Sequence, residues 1–268
     1  MCEPMGLLLT SGKRDLMIDP PRTNSAGILG FSDEARHLVD LSRLGAFVTN
    51  PVSLAPRTFA RTTHFKPYPG GFLLHTGHPH PGLREVVRAH RKRWANLPVP
   101  VIVHLLAQEV SQVGRMTEVL ESVEEVSAIE LGLIQEDTQE VSALVAEAVL
   151  GELPVVACVP LNASRHVAIA AVGAGANALV IGPPRGALPG LNGVILRGRL
   201  YGPGLFPLAL KALQELVPVV VCPILVGCGV YSPDQASALI DAGATGVQFD
   251  SILWTGPERV LGFVDEAT

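Results

Sequence analysis

Aromatic residues are scarce in this chain: Phe, Trp and Tyr make up 5% of 268 residues, against 48% hydrophobic residues in all. That balance suits a core of Val, Ile, Leu and Ala and argues against an aromatic-rich binding module. Cysteine is sparse too. Cys2, Cys158, Cys222 and Cys228 form no C-x-x-C pair, and three of them sit in apolar, strand-like runs. They read as buried reduced thiols, which sets the expectation of a cytoplasmic protein. There is no excess of positive charge: the formal net charge is −5. The densest basic stretch, Arg88, Arg91, Lys92 and Arg93, has no interleaved aromatics and reads as a solvated helix face. Nucleic acid and anionic membrane surfaces are therefore not expected partners. No apolar run approaches the roughly 18 residues of a membrane helix. The nearest, residues 216–230, is broken by Pro218, Pro223 and Gly227. The apolar stretch Gly6-Leu7-Leu8-Leu9 is too short for a signal peptide and is followed by charge. No linker or short-period repeat divides the chain, so one domain over residues 1–268 is expected.

What the chain does have is regular alternation. Leu7–Leu9 and Leu16–Ile18 flank Ser11-Gly12-Lys13, a hairpin signal. Ser32 precedes an amphipathic stretch to Leu41 and predicts a capped helix there. Strands are predicted at Thr23–Gly27, Ala46–Thr49, Val99–Leu105, Ala128–Leu133, Pro154–Val159, Ala178–Ile181, Pro223–Val226 and Gly246–Phe249. Helices are predicted at Gly82–Trp94, Ser111–Leu120, Thr138–Leu150, Arg165–Ala174, Leu208–Leu216 and Ser232–Ala242. The segments running up to Pro81 and up to Pro203 read as long Pro/Gly-rich loops, the first also rich in His. The strands are continuous apolar runs, as expected of strands buried on both faces of a parallel sheet. Glycines at 175 and 243 supply left-handed caps where helices give way to strands. The predicted fold class is α/β, a (β/α)8 TIM barrel with an N-terminal β-hairpin at its base. An open doubly wound sheet would want a glycine-rich turn directly after an early strand, and none is present.

Several stretches, in order, carry a likeness to a known family. Asn24-Ser25-Ala26-Gly27 resembles an "N-A-S-G" turn, and Ser53-Leu54-Ala55-Pro56-Arg57 a "T-L-x-P-R" tail. Gly70-Gly71-Phe72-Leu73-Leu74 with His80-Pro81-Gly82 resembles "G-x-M-L-N … N-P-G". Ala128-Ile129-Glu130-Leu131 matches "A-I-E-L-N", and Gly198-Arg199-Leu200-Tyr201-Gly202-Pro203 resembles "G-G-L-S-G-P". Pro223-Ile224-Leu225-Val226-Gly227-Cys228-Gly229-Val230 resembles "P-I-I-G-x-G-G-I". Together, over residues 7 to 263, the chain resembles the dihydroorotate dehydrogenases, chiefly the class of bacterial soluble enzymes. The resemblance implies a barrel with FMN at its C-terminal mouth, between Ser25, Ala26 and Gly27 on one side and Gly227, Cys228 and Gly229 on the other. It implies oxidation of a CH–CH bond in a small carboxylate.

The departures fall on the chemistry. Where the family carries a flavin-contacting lysine after the second strand, this chain has Asn50; where it has a substrate-binding asparagine, Leu74; where the third strand ends in asparagine, His104. "E-L-N-I-S-C-P-N" becomes Glu130-Leu131-Gly132-Leu133-Ile134-Gln135-Glu136, without the catalytic cysteine. The strand lysine falls at Cys158, although Asn162 survives, and the "V-G-T" of the phosphate site falls at Phe249-Asp250-Ser251. Dihydroorotate oxidation needs a base at the substrate carbon, and reduced flavin needs a cation near its N1–O2 edge. Asp250 would repel a phosphate, or else cap the next turn or pair with an arginine. Arg199 would intrude on the flavin ring.

Other residues invite a new role. His75, His78 and His80 lie in the loop after the second strand, with His104 at the end of the next; they suit an anion or Zn²⁺, or simply a polar loop fixed by Pro79 and Pro81. No carboxylate with ligand spacing accompanies them, so no metal is expected. Arg185, Arg197 and Arg199 suit a carboxylate or phosphate, or plain solvent exposure. The candidate pocket is thus His75, His78, His80, His104, Asn162, Arg199 and Asp250. Two principal readings remain: a divergent FMN oxidoreductase, and a barrel silent toward dihydroorotate that binds a small anion or a partner. A histidine-based enzyme is a third. The mean hydropathy of +0.35 and the resemblance both point to a homo-oligomer, a dimer first.

Overall fold

The computed structural model describes residues 6–61, 64–106, 108–163, 165–190 and 193–261. Cys2 and the last stretch of the family likeness, residues 262–263, lie outside them. Strands and helices are numbered in chain order. β1 (Leu7–Thr10) and β2 (Asp15–Ile18) form an antiparallel hairpin. β3 (Arg22–Asn24) and β4 (Phe47–Val48) begin the barrel; β5 (His64–Tyr68) and β6 (Gly71–His75) leave it as a second hairpin. Then α1 (Leu83–Trp94), β7 (Val101–Leu106), α2 (Val110–Glu121), β8 (Val126–Gly132), α3 (Thr138–Ala148), β9 (Val155–Pro160), α4 (Arg165–Gly173) and β10 (Ala178–Gly182) alternate. A third hairpin, β11 (Arg185–Pro189) and β12 (Ile195–Tyr201), interrupts the series. It resumes with α5 (Phe206–Leu216), β13 (Ile224–Val226), α6 (Pro233–Asp241), β14 (Gly246–Phe249), α7 (Ile252–Thr255) and α8 (Glu258–Leu261).

Eight strands pair in the order β3-β14-β13-β10-β9-β8-β7-β4, all parallel. The Thr23–Ala46 bridge and the Gly45 N–H to Arg22 carbonyl bond, 2.8 Å, join the two ends and close the barrel. Chain contact is tight at the closure: a Cβ at Gly45 would lie 2.0 Å from the Pro20 carbonyl. The apolar runs behave as their composition demands. β10 is buried at every residue and β7 at all but its last. Their outward side chains pack under the helices, while inward ones fill the barrel. The lower barrel is plugged by the hairpin: Leu7, Leu9, Leu16 and Ile18 alternate inward and form one cluster with Val48, Ile102, Val156 and Val180.

Helix ends follow local chemistry. Asp137 caps α3 by accepting from the Gln139 and Glu140 N–H groups, and Ser232 caps α6 with Pro233 behind it. α1 carries Glu85 in its first turn and Arg91, Lys92 and Arg93 in its last, matching the helix dipole. The basic stretch is indeed an exposed face, with Arg88 on Glu85 and Arg91 on Glu125. Among the described residues no helix is long and apolar enough to cross a membrane.

Two expectations fail. Residues 32–41 form turns rather than a helix, followed by a short 3-10 turn at Leu41–Arg43. The Ser32 hydroxyl bonds to His90 Nδ1, 3.0 Å, and its N–H to the Glu34 carboxylate, 2.6 Å, so it caps no helix. The two long loops are not structureless either. Their hairpins join through β6 and β12 into one antiparallel sheet, β11-β12-β6-β5.

Candidate anion site at the barrel mouth

The C-terminal strand ends and this four-stranded sheet enclose a cavity of about 140 Å³. Gly27, Gly132, Cys158 and Gly182 supply small side chains or none from the barrel; Leu74, Arg199 and Tyr201 come from the sheet. Three guanidinium groups converge here. Arg57 donates through Nε to the Gly77 carbonyl at 3.2 Å. Arg185 and Arg199 stand directly opposite each other on β11 and β12. Arg199 reaches the Ala26 carbonyl through Nη1 at 3.5 Å and bonds to the Tyr201 hydroxyl. Desolvation and the Arg199 charge lower the Arg185 pKa from its ordinary value. Among the described lining residues there is no Asp or Glu.

The histidines do not act as one group. His75 and His78 line the cavity. Desolvation, with the Arg199, His104, Arg57 and Arg185 charges adding to it, drives the His78 pKa down to about 2. His78 also takes a positive φ of 52°, alone among the described residues other than glycine. His80 turns away. Its Nδ1 accepts from the Gly82 N–H, 3.0 Å, and its Nε2 meets the Ser53 hydroxyl, 3.1 Å, so it ties the loop to the start of α1. Desolvation and then Arg57 lower its pKa to about 4. Asn162 likewise serves the backbone: it accepts from the Arg185 N–H at 3.0 Å and donates to the Arg185 carbonyl at 3.3 Å, holding β11 in place. Arg197 is exposed and lies outside the cavity.

His104 lies beneath the cavity, fully buried inside the barrel. Its Nδ1 is 2.7 Å from Glu130 Oε1 on the neighbouring strand, and Glu130 Oε2 accepts from Gln248 Nε2 at 2.6 Å. With both carboxylate oxygens accepting, Nδ1 carries a proton and donates to Glu130. The ring's Nε2 is buried and has no hydrogen-bond partner. Gly132 lies against it: a Cβ at 132 would be 2.4 Å from Nε2, so the family's asparagine has no room here. Sequence reasoning named His104 but missed Glu130 and Gln248 as its partners, since they lie 26 and 118 residues apart from their bonded neighbours.

The mouth does not fit the FMN that the family resemblance implies. A 140 Å³ cavity is benzene-sized, while pockets for larger ligands run to roughly 300–1,000 Å³. The segments flanking the implied flavin bond to each other: Ser25 Oγ donates to the Gly227 carbonyl at 3.0 Å, and Cys228 is fully buried. The Gly229 N–H, on the implied phosphate side, is taken by Asp250 Oδ2 at 3.3 Å. Asp250 is buried, receives further backbone bonds from Ser251 and Ile252, and so caps the turn into α7 rather than pairing with an arginine. Cys158, where a lysine would serve the flavin, is a thiol whose pKa desolvation and the Glu130 charge push well up. Between β8 and α3 only residues 133–137 remain, with no Cys or Ser among them.

No family model matches the chain. Curated relatives do. The catalytic subunit of dihydroorotate dehydrogenase B (NAD(+)) from Desulforudis audaxviator is 30% identical over 87% of this chain and 82% of its own length. The same subunit from Maridesulfovibrio salexigens is 27% identical over 94% of this chain and 89% of its own. Among solved structures, a FabK point mutant from Thermotoga maritima superposes with a TM-score of 0.51 at 15% identity, over 87% of this chain and 62%, under two thirds, of that one. That likeness speaks for the barrel fold alone. Identity of 30% carried across nearly the whole of both chains makes this chain a divergent member of the dihydroorotate dehydrogenase family.

Proposed function

We propose that this barrel is silent toward dihydroorotate oxidation and binds a small carboxylate-bearing molecule at its mouth. One observation carries the reading: Arg185 and Arg199 face each other across two paired strands, on a cavity without a lining carboxylate. Like charges directly opposite in a sheet repel. An oxyanion between them turns that repulsion into charge-assisted, bidentate hydrogen bonds. Arg57 adds a third donor on the same cavity. Calorimetric titration with mono- and dicarboxylates and with inorganic phosphate tests the reading. Arg199→Gln is expected to weaken carboxylate binding about 10- to 100-fold. Failure of every anion to bind at millimolar concentration would refute it.

The silence rests on the missing loop nucleophile and on Cys158 and Asp250. The alternative, an FMN-dependent oxidoreductase acting on a CH–CH bond of a small carboxylate, draws on family membership. The purified protein separates the two readings. Stoichiometric flavin absorbance, with dihydroorotate turnover on NAD, fumarate or a quinone, would establish the alternative.

A further inference from the structure

We infer that the ligand of the mouth cavity is a monocarboxylic acid with a compact apolar body, its carboxylate on the arginines and its body against the barrel's strand ends. This rests on the anion-site reading above and names the rest of the ligand. The cavity has two walls of different origin. Arg185 and Arg199 come from the β11–β12 hairpin, and Arg57 from the loop ahead of β5. The other wall is made by the ends of four strands that neighbour one another in the barrel, in the order β10-β9-β8-β7. Each end sets an apolar residue on the cavity: Pro183 after β10, Pro160 closing β9, Leu133 and Ile134 after β8, and Leu106 closing β7. The short loop after β8 holds its part of this wall in place. The Leu133 N–H donates to the Cys158 carbonyl at 2.9 Å, and the Ile134 N–H donates to Gln135 Oε1 at 2.9 Å. Ile134 is 47% exposed although it lines the cavity. An apolar body that covers this surface gains free energy, whereas a hydroxyl or a second carboxylate set against it loses its water to side chains that offer no hydrogen bond. The volume sets the size of the body. Cavities of roughly 150 Å³ hold benzene, so the one here, about 140 Å³, admits a carboxylate and about three or four further carbons.

Calorimetric titration of the unmodified protein with acetate, propionate, butyrate and pentanoate tests this. Affinity should rise about three- to fourfold with each added methylene until the cavity is full. Isobutyrate and lactate share a shape and differ by a methyl against a hydroxyl. Isobutyrate is expected to bind about ten- to a hundredfold tighter. Ile134→Ser alters the wall at a half-exposed loop position, where the core is not disturbed. In that variant the pentanoate-to-acetate affinity ratio should fall about three- to tenfold. Equal affinities along the series, or a preference for lactate over isobutyrate or for malonate over butyrate, would overturn the inference and leave the anion site standing. Failure of every one of these acids to bind at millimolar concentration would instead remove the anion site. A chain-length gain undiminished in Ile134→Ser would take the apolar wall out of the binding site and also overturn the inference.

Discussion

His78, partly buried, and Asp250, fully buried, are groups whose ionisation works against the fold from opposite ends of the pH scale. The His78 pKa falls from 6.5 to about 2, chiefly by desolvation. Such a histidine stays neutral in the folded chain while the unfolded one takes up a proton as pH drops below 6.5. Stability is therefore intact above that value and lost progressively below it, by up to about 2 kcal/mol at pH 5. His78→Asn keeps a residue that tolerates positive φ. Its melting temperature should decline less than the parent's between pH 7 and 5; parallel declines would show that His78 is not the sensitive group. Asp250 is the converse. Burial raises its pKa from 3.8 to about 6, with bonds from Gly229 and Tyr231 opposing the rise. The unfolded chain releases this proton near 3.8 and the folded chain near 6, so stability is full below 3.8 and falls through that window. The loss amounts to about 3 kcal/mol at pH 7. Asp250→Asn is expected to melt higher relative to the parent at pH 8 than at pH 4, by roughly 5 °C. An unchanged difference at the two pH values would show that Asp250 carries no such penalty.

The four-stranded sheet is the element that makes the site, because it brings Arg185, Arg199 and Leu74 over the barrel. Its two hairpins come from residues 64–75 and 185–201 and are joined into one sheet where β6 pairs with β12. That junction depends on a missing side chain: a Cβ at Gly198 would stand 2.5 Å from the Leu74 carbonyl. Gly198→Val should push β12 off β6 and cut carboxylate affinity tenfold or more. The barrel strands, hydrogen-bonded among themselves, should keep their cooperative melting to within about 4 °C. Wild-type affinity in Gly198→Val would remove the sheet from the binding site. The sheet was illegible in the sequence for physical reasons. β5 contains Pro67 and β11 ends in Pro189, and β11 shows an exposed, partly polar pattern instead of an apolar run. Its strands gain their partners only from distant segments. The Ser32 helix misled in the opposite way: the right cap residue was present, but His90 on α1 claimed its hydroxyl.

At the scale of the molecule, apolar surface remains outside the core. Leu8 and Met17 on the hairpin, and Phe65 and Ile195 on the sheet, each leave half or more of themselves exposed. We propose that a homodimer covers part of this surface. Light scattering at micromolar concentration should return twice the chain mass. A monomer at that concentration would overturn the proposal.

The sequence by itself determined the barrel. Continuous aliphatic runs can be buried only between helices and a filled interior, and eight of them in alternation leave little choice of architecture. It also determined the loss of the family's reactive loop, since Gly132–Glu136 holds no nucleophile. Only the tertiary structure decided which side chains line the barrel mouth. Arg185 and Arg199 stand opposite each other within one hairpin, and Arg57, up to 142 residues away in sequence, lines the same cavity from the loop before the other. His80 and Asn162 looked like members of that site and were drawn off by backbone groups nearby. His104 found Glu130 because parallel pairing of β7 with β8 sets them side by side within the barrel. Burial drives each of these outcomes, because a polar side chain removed from water takes the partner that packing supplies.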